Sequence, residues 1–299
     1  MTIEVERFPD HAALESAFSF AATSWYQEGK IFVTSKQPIG LLDSGFGGLT
    51  VASEVLRQLP QENIVYVGDN LRCPYGSRAP EEVKRYLFQI MDFLAEQDVK
   101  MIIIACNTAT AAGLEAARTR YNIPVLGVIA PGSRAAISAT QTERVGVIGT
   151  DVTIKSDSYR REIHRLNPRL YVVNQSCPPF VDLVEEDRTD APEARELVAS
   201  YLAPLQQEGI DTLILGCTHY PLLAPLIGEV MGESVKLISS AEETAREAST
   251  ILQLKHLLSD DNPTPQHRFF TTGDAAYFQR VGSRWLKREI EVSGIVLGP

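Results

Sequence analysis

The chain has 299 residues, of which 44% are hydrophobic and 22% are charged. This balance is typical of a globular protein with a sizeable core, and it excludes collagen-like, coiled-coil and wholly disordered chains. The formal net charge is −10, without a basic patch, which disfavours direct binding to nucleic-acid phosphates. We therefore predict no nucleic-acid partner.

Four cysteines occur, at positions 73, 106, 177 and 217, without a C-x-x-C pair. So few cysteines in a chain of this length do not indicate a disulfide framework, and we expect free thiols in a reducing compartment. No apolar run has the length of a membrane span, and the N-terminus lacks the pattern of a secretory signal. The sequence therefore predicts a cytoplasmic protein with no membrane partner.

Residues 1–37 differ from the rest of the chain, because acids, hydroxyl residues and aromatics are mixed without a steady period. Residues 11–25 form a candidate helix, since several apolar side chains fall roughly on one face. These are Leu14, Ala17, Phe18, Ala21 and Trp25. We favour an N-terminal extension packed on the domain surface, while a regulatory or oligomer-contact segment remains open.

From residue 38 onward, short apolar runs alternate with longer amphipathic ones. The short runs are rich in Ile, Val and Leu and nearly continuous in apolar character, which is typical of strands buried on both faces. We predict nine strands, at residues 39–43, 63–69, 101–106, 123–129, 144–149, 169–174, 212–217, 235–239 and 268–273.

The segments between these strands have helical patterns. In residues 80–95 the apolar positions follow the i, i+3, i+4, i+7 spacing of a helix with one buried face, and Pro80 suits its first turn. The positions are Val83, Tyr86, Leu87, Ile90, Met91 and Leu94. Alternation of strand and helix predicts βαβ units around mostly parallel sheets, hence an α/β fold.

Two segments of the chain resemble each other. Residues 102–111 and 213–222 each have three apolar residues, one small residue, a cysteine and then a threonine within two positions. Upstream of each lies another strand that ends in a polar turn, at residues 41–45 and 147–151. We therefore predict two α/β halves of similar plan, each ending one strand in a cysteine, and treat duplication as a hypothesis.

Five polar residues fall at the ends of predicted strands. They are Asp43, Asp69, Cys106, Thr150 and Cys217. Ligands of open parallel sheets bind outside the carboxyl ends of the strands, and a cleft between domains is a favoured ligand site. One isolated cysteine there would more often be a small buried hydrophobe. Two cysteines in matched contexts instead indicate a pair of reactive thiols.

Each cysteine has a neighbour that suits thiol chemistry. Cys106 precedes a predicted helix at residues 108–120, whose N-terminal N–H groups favour a thiolate. Cys217 lies two residues before His219, and an imidazole can exchange a proton with a thiol. These neighbours support an acid or base role for both thiols.

Other interpretations fit the same residues less well. Cys217 and His219 could bind a metal ion, but no second pair with ligand spacing is nearby. Cys106, Asp43 and His219 could form a thiol hydrolase, which leaves Cys217 without a role. The glycine turn at residues 45–48 lacks the third glycine of a dinucleotide-binding fingerprint. We expect its glycines to let the backbone approach an anionic ligand at a helix start.

Two thiols facing one small substrate suit a specific reaction. A thiolate removes a proton from one face of a carbon, and a thiol returns a proton to the other face. Such a site needs donors for the carboxylate and its developing charge, and no pyridoxal cofactor. We therefore expect inversion at a carbon centre without cofactor or metal.

Several motifs resemble those of the cofactor-independent glutamate racemases, in family order from about Pro38 to near the C-terminus. They are DSGFGGLTV (43–51), GDNLRCPYG (68–76), ACNTATA (105–111), VGVIGTDVTIKS (145–156), CPPFVDLVE (177–185), GCTHYPLL (216–223) and FFTTGD (269–274). The resemblance implies an isomerase that interconverts L- and D-glutamate without pyridoxal phosphate and supplies D-glutamate for peptidoglycan and cell-wall synthesis.

The resemblance also implies a domain plan. The fold would be two flavodoxin-like, doubly wound parallel-sheet domains related by pseudo-twofold symmetry, with the active site in the cleft between them. Residues 38–130 and 241–299 would form the first domain and residues 131–240 the second, after an N-terminal extension at residues 1–37. Dimers are common in the family, so a homodimer is expected.

Residue by residue, Cys106 matches the cysteine that works on the D-enantiomer and Cys217 the one that works on the L-enantiomer. Asp43 and His219 match residues that assist these thiols. Asp69 and Glu185 match further carboxylates of the family's catalytic site. The positions that match substrate contacts are Asp43, Ser44, Tyr75, Gly76, Asn107, Thr108, Thr150, Thr218 and His219.

The sequence also departs from the family pattern. Ala130 stands where many members carry Glu, and Leu71 stands where a small residue is common, which affects expectations about pocket shape and regulation. Cys73 and Cys177 match no catalytic position, and we interpret both as structural.

Two alternatives to a glutamate racemase remain. A related two-cysteine racemase could act on aspartate, although such relatives usually replace the DSGxGG and CTHYP motifs. The acidic chain could also carry a secondary, non-catalytic activity as an inhibitor of a DNA-handling enzyme, for which only the net charge of −10 argues.

Overall fold

The computed structural model describes residues 33–298. The helix predicted for residues 11–25 lies outside the described residues. The strands found in the described range are β1 (Ile39–Asp43), β2 (Ile64–Gly68), β3 (Met101–Ile104), β4 (Val125–Gly127), β5 (Arg144–Gly149), β6 (Tyr171–Ser176), β7 (Thr212–Gly216), β8 (Lys236–Ser239), β9 (His267–Thr271) and β10 (Val292–Gly294).

In the described range, each pair of consecutive strands is connected by at least one helix. The helices of this range are α1 (Leu49–Gln58), α2 (Pro80–Glu96), α3 (Asn107–Arg120), α4 (Ile129–Ala139), α5 (Asp151–Lys155), α6 (Ser158–Leu166), α7 (Pro179–Glu185), α8 (Pro192–Gln206), α9 (Ala224–Met231), α10 (Ser240–Leu254) and α11 (Ala275–Leu286). Short 3₁₀ turns lie at Asn70–Arg72 and Tyr220–Leu223. None of the helices in the part of the chain that the structure describes is long and apolar enough to cross a membrane.

The strands form two parallel sheets, which confirms the predicted α/β fold. Within the described residues one sheet has six strands in the order β10-β9-β2-β1-β3-β4, and the other has four in the order β6-β5-β7-β8. The order β2-β1-β3-β4 in the first sheet is repeated as β6-β5-β7-β8 in the second. In the first sheet β3 pairs with β1, and in the second sheet β7 pairs with β5. A cysteine follows each of β3 and β7, at positions 106 and 217. The two halves therefore share one plan.

The core lies on both faces of the central strands. Every residue of β1, β2 and β3 is buried, because helices cover the sheet from both sides. Helix α2 follows its prediction closely, beginning at Pro80 and burying one apolar stripe. Each large apolar side chain in such a stripe contributes roughly 1.5–3 kcal/mol when it is fully buried. This burial fixes the strand ends on which the polar side chains sit.

The strand predictions differ from the structure mainly at the edges. Strand β10 was not predicted, because it is three residues long and largely exposed. Strand β6 runs to Ser176 rather than ending at Asn174, since an edge strand can carry polar residues on its less buried side. Strand β3 ends at Ile104, so Cys106 lies beyond the strand, and Ile129 begins α4 rather than ending a strand.

Candidate active site

Cys106 lies between β3 and α3 and caps the helix. Its Sγ accepts a hydrogen bond from the backbone N–H of Ala109 at 3.4 Å and lies 3.8 Å from Ser44 Oγ. Burial is the main cause that raises the pKa of the Cys106 thiol to about 12, and the charge of Asp43 adds to it. The helix N–H group acts in the opposite direction and is outweighed. In this closed arrangement Cys106 therefore holds its proton.

Cys217 follows β7 and is joined to an imidazole. Its Sγ lies 3.6 Å from His219 Nδ1, while His219 Nε2 lies 2.5 Å from Glu185 Oε1 at the end of α7. Burial lowers the pKa of His219, but its hydrogen bonds with Cys217 and Glu185 outweigh burial and raise that pKa well above its usual value. The relay Cys217–His219–Glu185 thus favours an imidazolium beside the second thiol.

Asp43 ends β1 and is fully buried. It accepts hydrogen bonds from the backbone N–H of Gly45 at 3.0 Å and from Thr218 Oγ1 at 3.2 Å. Burial raises the pKa of Asp43 to about 6, against the opposing effects of His219 and these hydrogen bonds. Thr218 follows β7 in the second sheet, whereas Asp43 ends β1 in the first sheet. Their hydrogen bond therefore joins the two halves at the site.

The glycine turn at residues 45–48 packs against other residues of the site. A Cβ on Gly47 would lie 2.3 Å from Thr218 Oγ1, and a Cβ on Gly48 would lie 2.4 Å from Asp43 Cβ. Real Cβ atoms do not approach so closely, so the glycines let the turn pack against the protein's own site residues. Their predicted approach to an anionic ligand stays a prediction.

Asp69 is placed differently from the other predicted carboxylates. It is buried and accepts hydrogen bonds from Arg72 Nε at 2.6 Å, from Thr272 Oγ1 at 2.7 Å and from the Tyr75 hydroxyl. Three donors already occupy the carboxylate. The structure therefore gives Asp69 the geometry of a residue that fixes the Tyr75–Gly76 loop, rather than that of a free acid or base.

The predicted substrate contacts from the two halves meet. Thr108 Oγ1 lies 2.9 Å from Thr150 Oγ1, and a Cβ on Gly76 would lie 2.6 Å from Thr150 Cβ. Asn107 Oδ1 accepts a hydrogen bond from the Tyr159 hydroxyl at 2.6 Å. Among the described residues, the buried Asn107 Nδ2 has no hydrogen-bond partner. A buried donor without a partner is costly, so this amide is well placed for a ligand carboxylate.

Two residues that lie beside the site, Tyr159 and Cys73, were not predicted from the sequence to lie there. Tyr159 lies on α6, where its spacing is that of a core residue, and no local pattern links it to Asn107. Cys73 was interpreted as structural, yet its Sγ lies 3.9 Å from Glu185 Oε1. The ligand atoms of Cys73, Glu185 and His219 lie within 4.8 Å of one another, so this trio could hold a metal ion. Cys177 is buried beside Gln175, as expected of a structural thiol.

Comparisons with known proteins show which family the chain resembles. The sequence model of the family described as Asp/Glu/Hydantoin racemase matches residues 40–248. A glutamate racemase of Exiguobacterium sibiricum is 51% identical over 260 residues, which cover 87% of this chain and 96% of that relative.

Solved structures of glutamate racemases are also similar to this chain. A glutamate racemase isoform from Bacillus anthracis has a TM-score of 0.86 at 50% identity, and the match covers 88% of this chain and 98% of that one. A glutamate racemase from Francisella tularensis, solved in complex with D-glutamate, has a TM-score of 0.82 at 34% identity with the same coverage.

Proposed function

This chain belongs to the Asp/Glu/hydantoin racemase family, and from that premise we propose that it is an isomerase that interconverts L- and D-glutamate through the thiols of Cys106 and Cys217. The observation that carries the proposal is the matched placement of these two buried thiols. Each follows the strand that pairs with the first strand of its half, β3 with β1 and β7 with β5. Each also has its own polar assistants.

The proposed reaction is a proton transfer on each face of Cα. With D-glutamate, the thiolate of Cys106 takes the Cα proton, so that an S–H bond forms while the C–H bond breaks. The electron pair moves into the substrate carboxylate. The thiol of Cys217 then donates its proton to the opposite face and becomes a thiolate. L-Glutamate reacts in the reverse sense, so no cofactor has to accept electrons or a proton.

The two thiols differ in how they are assisted. Cys217 Sγ lies 3.6 Å from His219 Nδ1, and the imidazolium that Glu185 stabilises can exchange a proton with it. Among the described residues Cys106 has no imidazole as a hydrogen-bond partner, and the charge of the nearby Asp43 disfavours its thiolate. The ammonium group of a bound amino acid supplies the missing positive charge on that side. We therefore propose that the Cys106 thiolate forms only when substrate is bound.

Substrate is held by donors that the surrounding protein groups leave available. The Asn107 amide is aligned by Tyr159 and presents Nδ2 without a partner among the described residues. The Ser44 hydroxyl lies 3.8 Å from Cys106 Sγ, whereas the Thr218 hydroxyl is already donated to Asp43. The Asn107 amide and the Ser44 hydroxyl therefore suit the binding of the α-carboxylate and the charge that develops on it.

Circular dichroism of L-glutamate in D₂O tests the proposal, with reduced enzyme and no pyridoxal phosphate. Loss of optical activity with deuterium at Cα is expected. Cys106→Ser and Cys217→Ser should each lower turnover by at least about 10²-fold, because an acid or base in the transition state contributes roughly 10²–10⁴-fold. Cys177→Ala, at a buried thiol outside the site, is the matched control and should retain turnover.

The two single variants should also differ from each other. Cys106→Ser should impair exchange of the Cα proton of D-glutamate more strongly, and Cys217→Ser that of L-glutamate. Equal loss of exchange from both enantiomers in both variants would count against the assignment of faces. Racemisation of L-aspartate with L-glutamate inert would move the substrate to the related amino acid.

The remaining proposals concern the whole protein. We propose that D-glutamate made in the cytoplasm supplies peptidoglycan synthesis and that the enzyme works as a homodimer, which sedimentation analysis would test. We also propose that residues 38–130 and 241–299 form one domain and residues 131–240 the other, after an extension at residues 1–37. All strands of the six-stranded sheet fall in the first set and all strands of the four-stranded sheet in the second, which supports this division.

A further inference from the structure

Cys73 lies beside the site although the proposed reaction does not use it. Its half-buried side chain places Sγ 3.9 Å from Glu185 Oε1, and His219 Nε2 lies 2.5 Å from the same oxygen. The ligand atoms of all three residues lie within 4.8 Å of one another. We propose that Cys73, Glu185 and His219 form a binding site for one zinc ion, and that bound zinc inhibits the enzyme.

The types of donor atom in the site favour zinc over calcium and magnesium. Sulfur, imidazole nitrogen and carboxylate oxygen are the three ligand types that Zn²⁺ takes in proteins, and three protein ligands with an open fourth position are a common arrangement. Calcium and magnesium prefer sites made entirely of oxygen atoms. The three ligands come from the 73–76 loop, the end of α7 and the segment after β7. Sequence spacing therefore gives no sign of the site.

The geometry needs only side-chain movement to accept the ion. Zinc bonds of about 2.0–2.3 Å place tetrahedral ligand atoms roughly 3.4–3.6 Å apart. The Cys73–Glu185 distance of 3.9 Å is already close to this, whereas the His219–Glu185 contact must open by roughly 1 Å. The side chain of Glu185 is 23% exposed, which gives it room to rotate.

Gly45 leaves space beside two of the ligand atoms. A Cβ at this position would lie 3.1 Å from Cys73 Sγ and 3.2 Å from Glu185 Oε1. A larger residue would fill this space, and glycine leaves it open. The exposed parts of Cys73 and Glu185 provide the way in for the ion.

Inhibition follows from the bonds that zinc makes. Binding replaces the thiol proton of Cys73 and the proton shared by His219 and Glu185, and both protons leave to solvent without any change of oxidation state. His219 Nε2 then bonds to the metal, so Glu185 no longer stabilises the imidazolium beside Cys217. This inhibition rests on the proposed function, whereas zinc binding itself does not.

Titration of the reduced protein with Co²⁺ tests the binding site, because cobalt takes the zinc ligands and reports a sulfur ligand through a charge-transfer band. One equivalent should bind and be displaced by Zn²⁺. Cys73→Ala should weaken binding by about 100-fold or more and abolish the band, since even partners of ligands are worth 10–100-fold in affinity. Cys177→Ala, a buried cysteine outside the cluster, should bind as the unchanged protein does.

Two outcomes would overturn the site. The band could persist in Cys73→Ala and vanish in Cys217→Ser, which would place the ion on Cys217 and His219 instead. The unchanged protein could also give no charge-transfer band at millimolar Co²⁺. Either result is read without reference to catalysis, so it is distinct from a failure of glutamate racemisation.

The inhibitory effect has its own test. Micromolar Zn²⁺ should lower glutamate racemisation, and a chelator should restore it. Cys73→Ala should keep the basal rate and lose most of the sensitivity to zinc, while Cys177→Ala should keep both. Equal inhibition of Cys73→Ala and the unchanged enzyme would show that zinc acts elsewhere, for example on the two catalytic thiols.

Discussion

At the scale of single residues, Asp43 combines a position in the candidate site with a cost in stability. Its carboxyl group is fully buried, and burial raises its pKa from 3.8 to about 6. When the pKa of a carboxyl group is higher in the folded than in the unfolded protein, its protonated form favours folding. Its contribution to the free energy of unfolding is complete below pH 3.8 and is lost as the pH rises through 6. Above that pH the ionised group therefore lowers the free energy of unfolding.

Asp43→Asn tests this cost, because an amide resembles the protonated carboxyl group in shape. The variant should be more stable than the unchanged protein at pH 8 by up to about 3 kcal/mol, and by much less at pH 4. Urea unfolding at the two pH values measures the difference, with the exposed Asp260→Asn as control. The same stability change at both pH values would contradict the raised pKa.

The residues of the site could be predicted in part. Cys106, Cys217 and Asp43 follow strongly apolar strands, and His219 lies near Cys217 in sequence, so local pattern was enough to single them out. Tyr159 and Cys73 were not recognised, because their links to Asn107 and Glu185 span 52 and 112 positions of the chain. No periodicity reports such tertiary contacts.

At the scale of elements, α6 supports the start of α3 across the two halves. Tyr159 on α6 donates to Asn107 Oδ1, and this fixes which way the amide of Asn107 points. Without the bond the amide could rotate and present its oxygen to a substrate carboxylate. We therefore infer that Tyr159 is a positioning residue.

Tyr159→Phe should raise KM for glutamate by about tenfold and change kcat less, since a lost hydrogen bond worth about 1.4 kcal/mol is a factor of ten. Steady-state kinetics with both enantiomers measures this split. Tyr201→Phe on α8, at a partly buried tyrosine that packs against the core of the second half, is the control. A loss of stability with unchanged KM would mean that Tyr159 only packs.

Most elements could be predicted because their signals are strong and local. The nine predicted strands were all found, since Ile, Val and Leu runs buried by helices on both faces leave little ambiguity. The boundaries moved where the signal was weak, as at polar Asn174–Ser176 in β6 and at β10 with its three residues. Edge strands bury less apolar surface, so their sequences say less about their limits.

At the scale of the whole molecule, hydrogen bonds between the halves close the site. Thr218 bonds to Asp43 at 3.2 Å, and Thr108 to Thr150 at 2.9 Å. Both thiols are at most 7% exposed in this arrangement. We infer that these contacts open for entry of glutamate, and that closing them again excludes water from the two thiols.

The opposite end of the first sheet carries a buried ion pair that serves stability. Glu62 and Lys100 precede β2 and β3 and lie 2.5 Å apart, with side chains 1% and 0% exposed. Lys100 Nζ also donates to the backbone oxygens of Ser35 and Leu257. The pair thus joins four separate parts of the chain at the amino ends of the strands, away from the thiols at the carboxyl ends.

Glu62→Gln should lower the free energy of unfolding by about 3–5 kcal/mol, because it leaves a buried ammonium without its partner. Burial lowers the pKa of Lys100, and Glu62 opposes that effect. Without Glu62, the folded state favours the neutral amine of Lys100 over its ammonium form. The decrease in the free energy of unfolding should therefore become smaller as the pH rises from 6 to 9. Glu229→Gln, at an exposed pair with Arg195, should cost less than about 1 kcal/mol.

Racemisation by the folded Glu62→Gln protein should equal that of the unchanged enzyme. Reduced turnover without unfolding would mean that the two ends of the sheet are coupled.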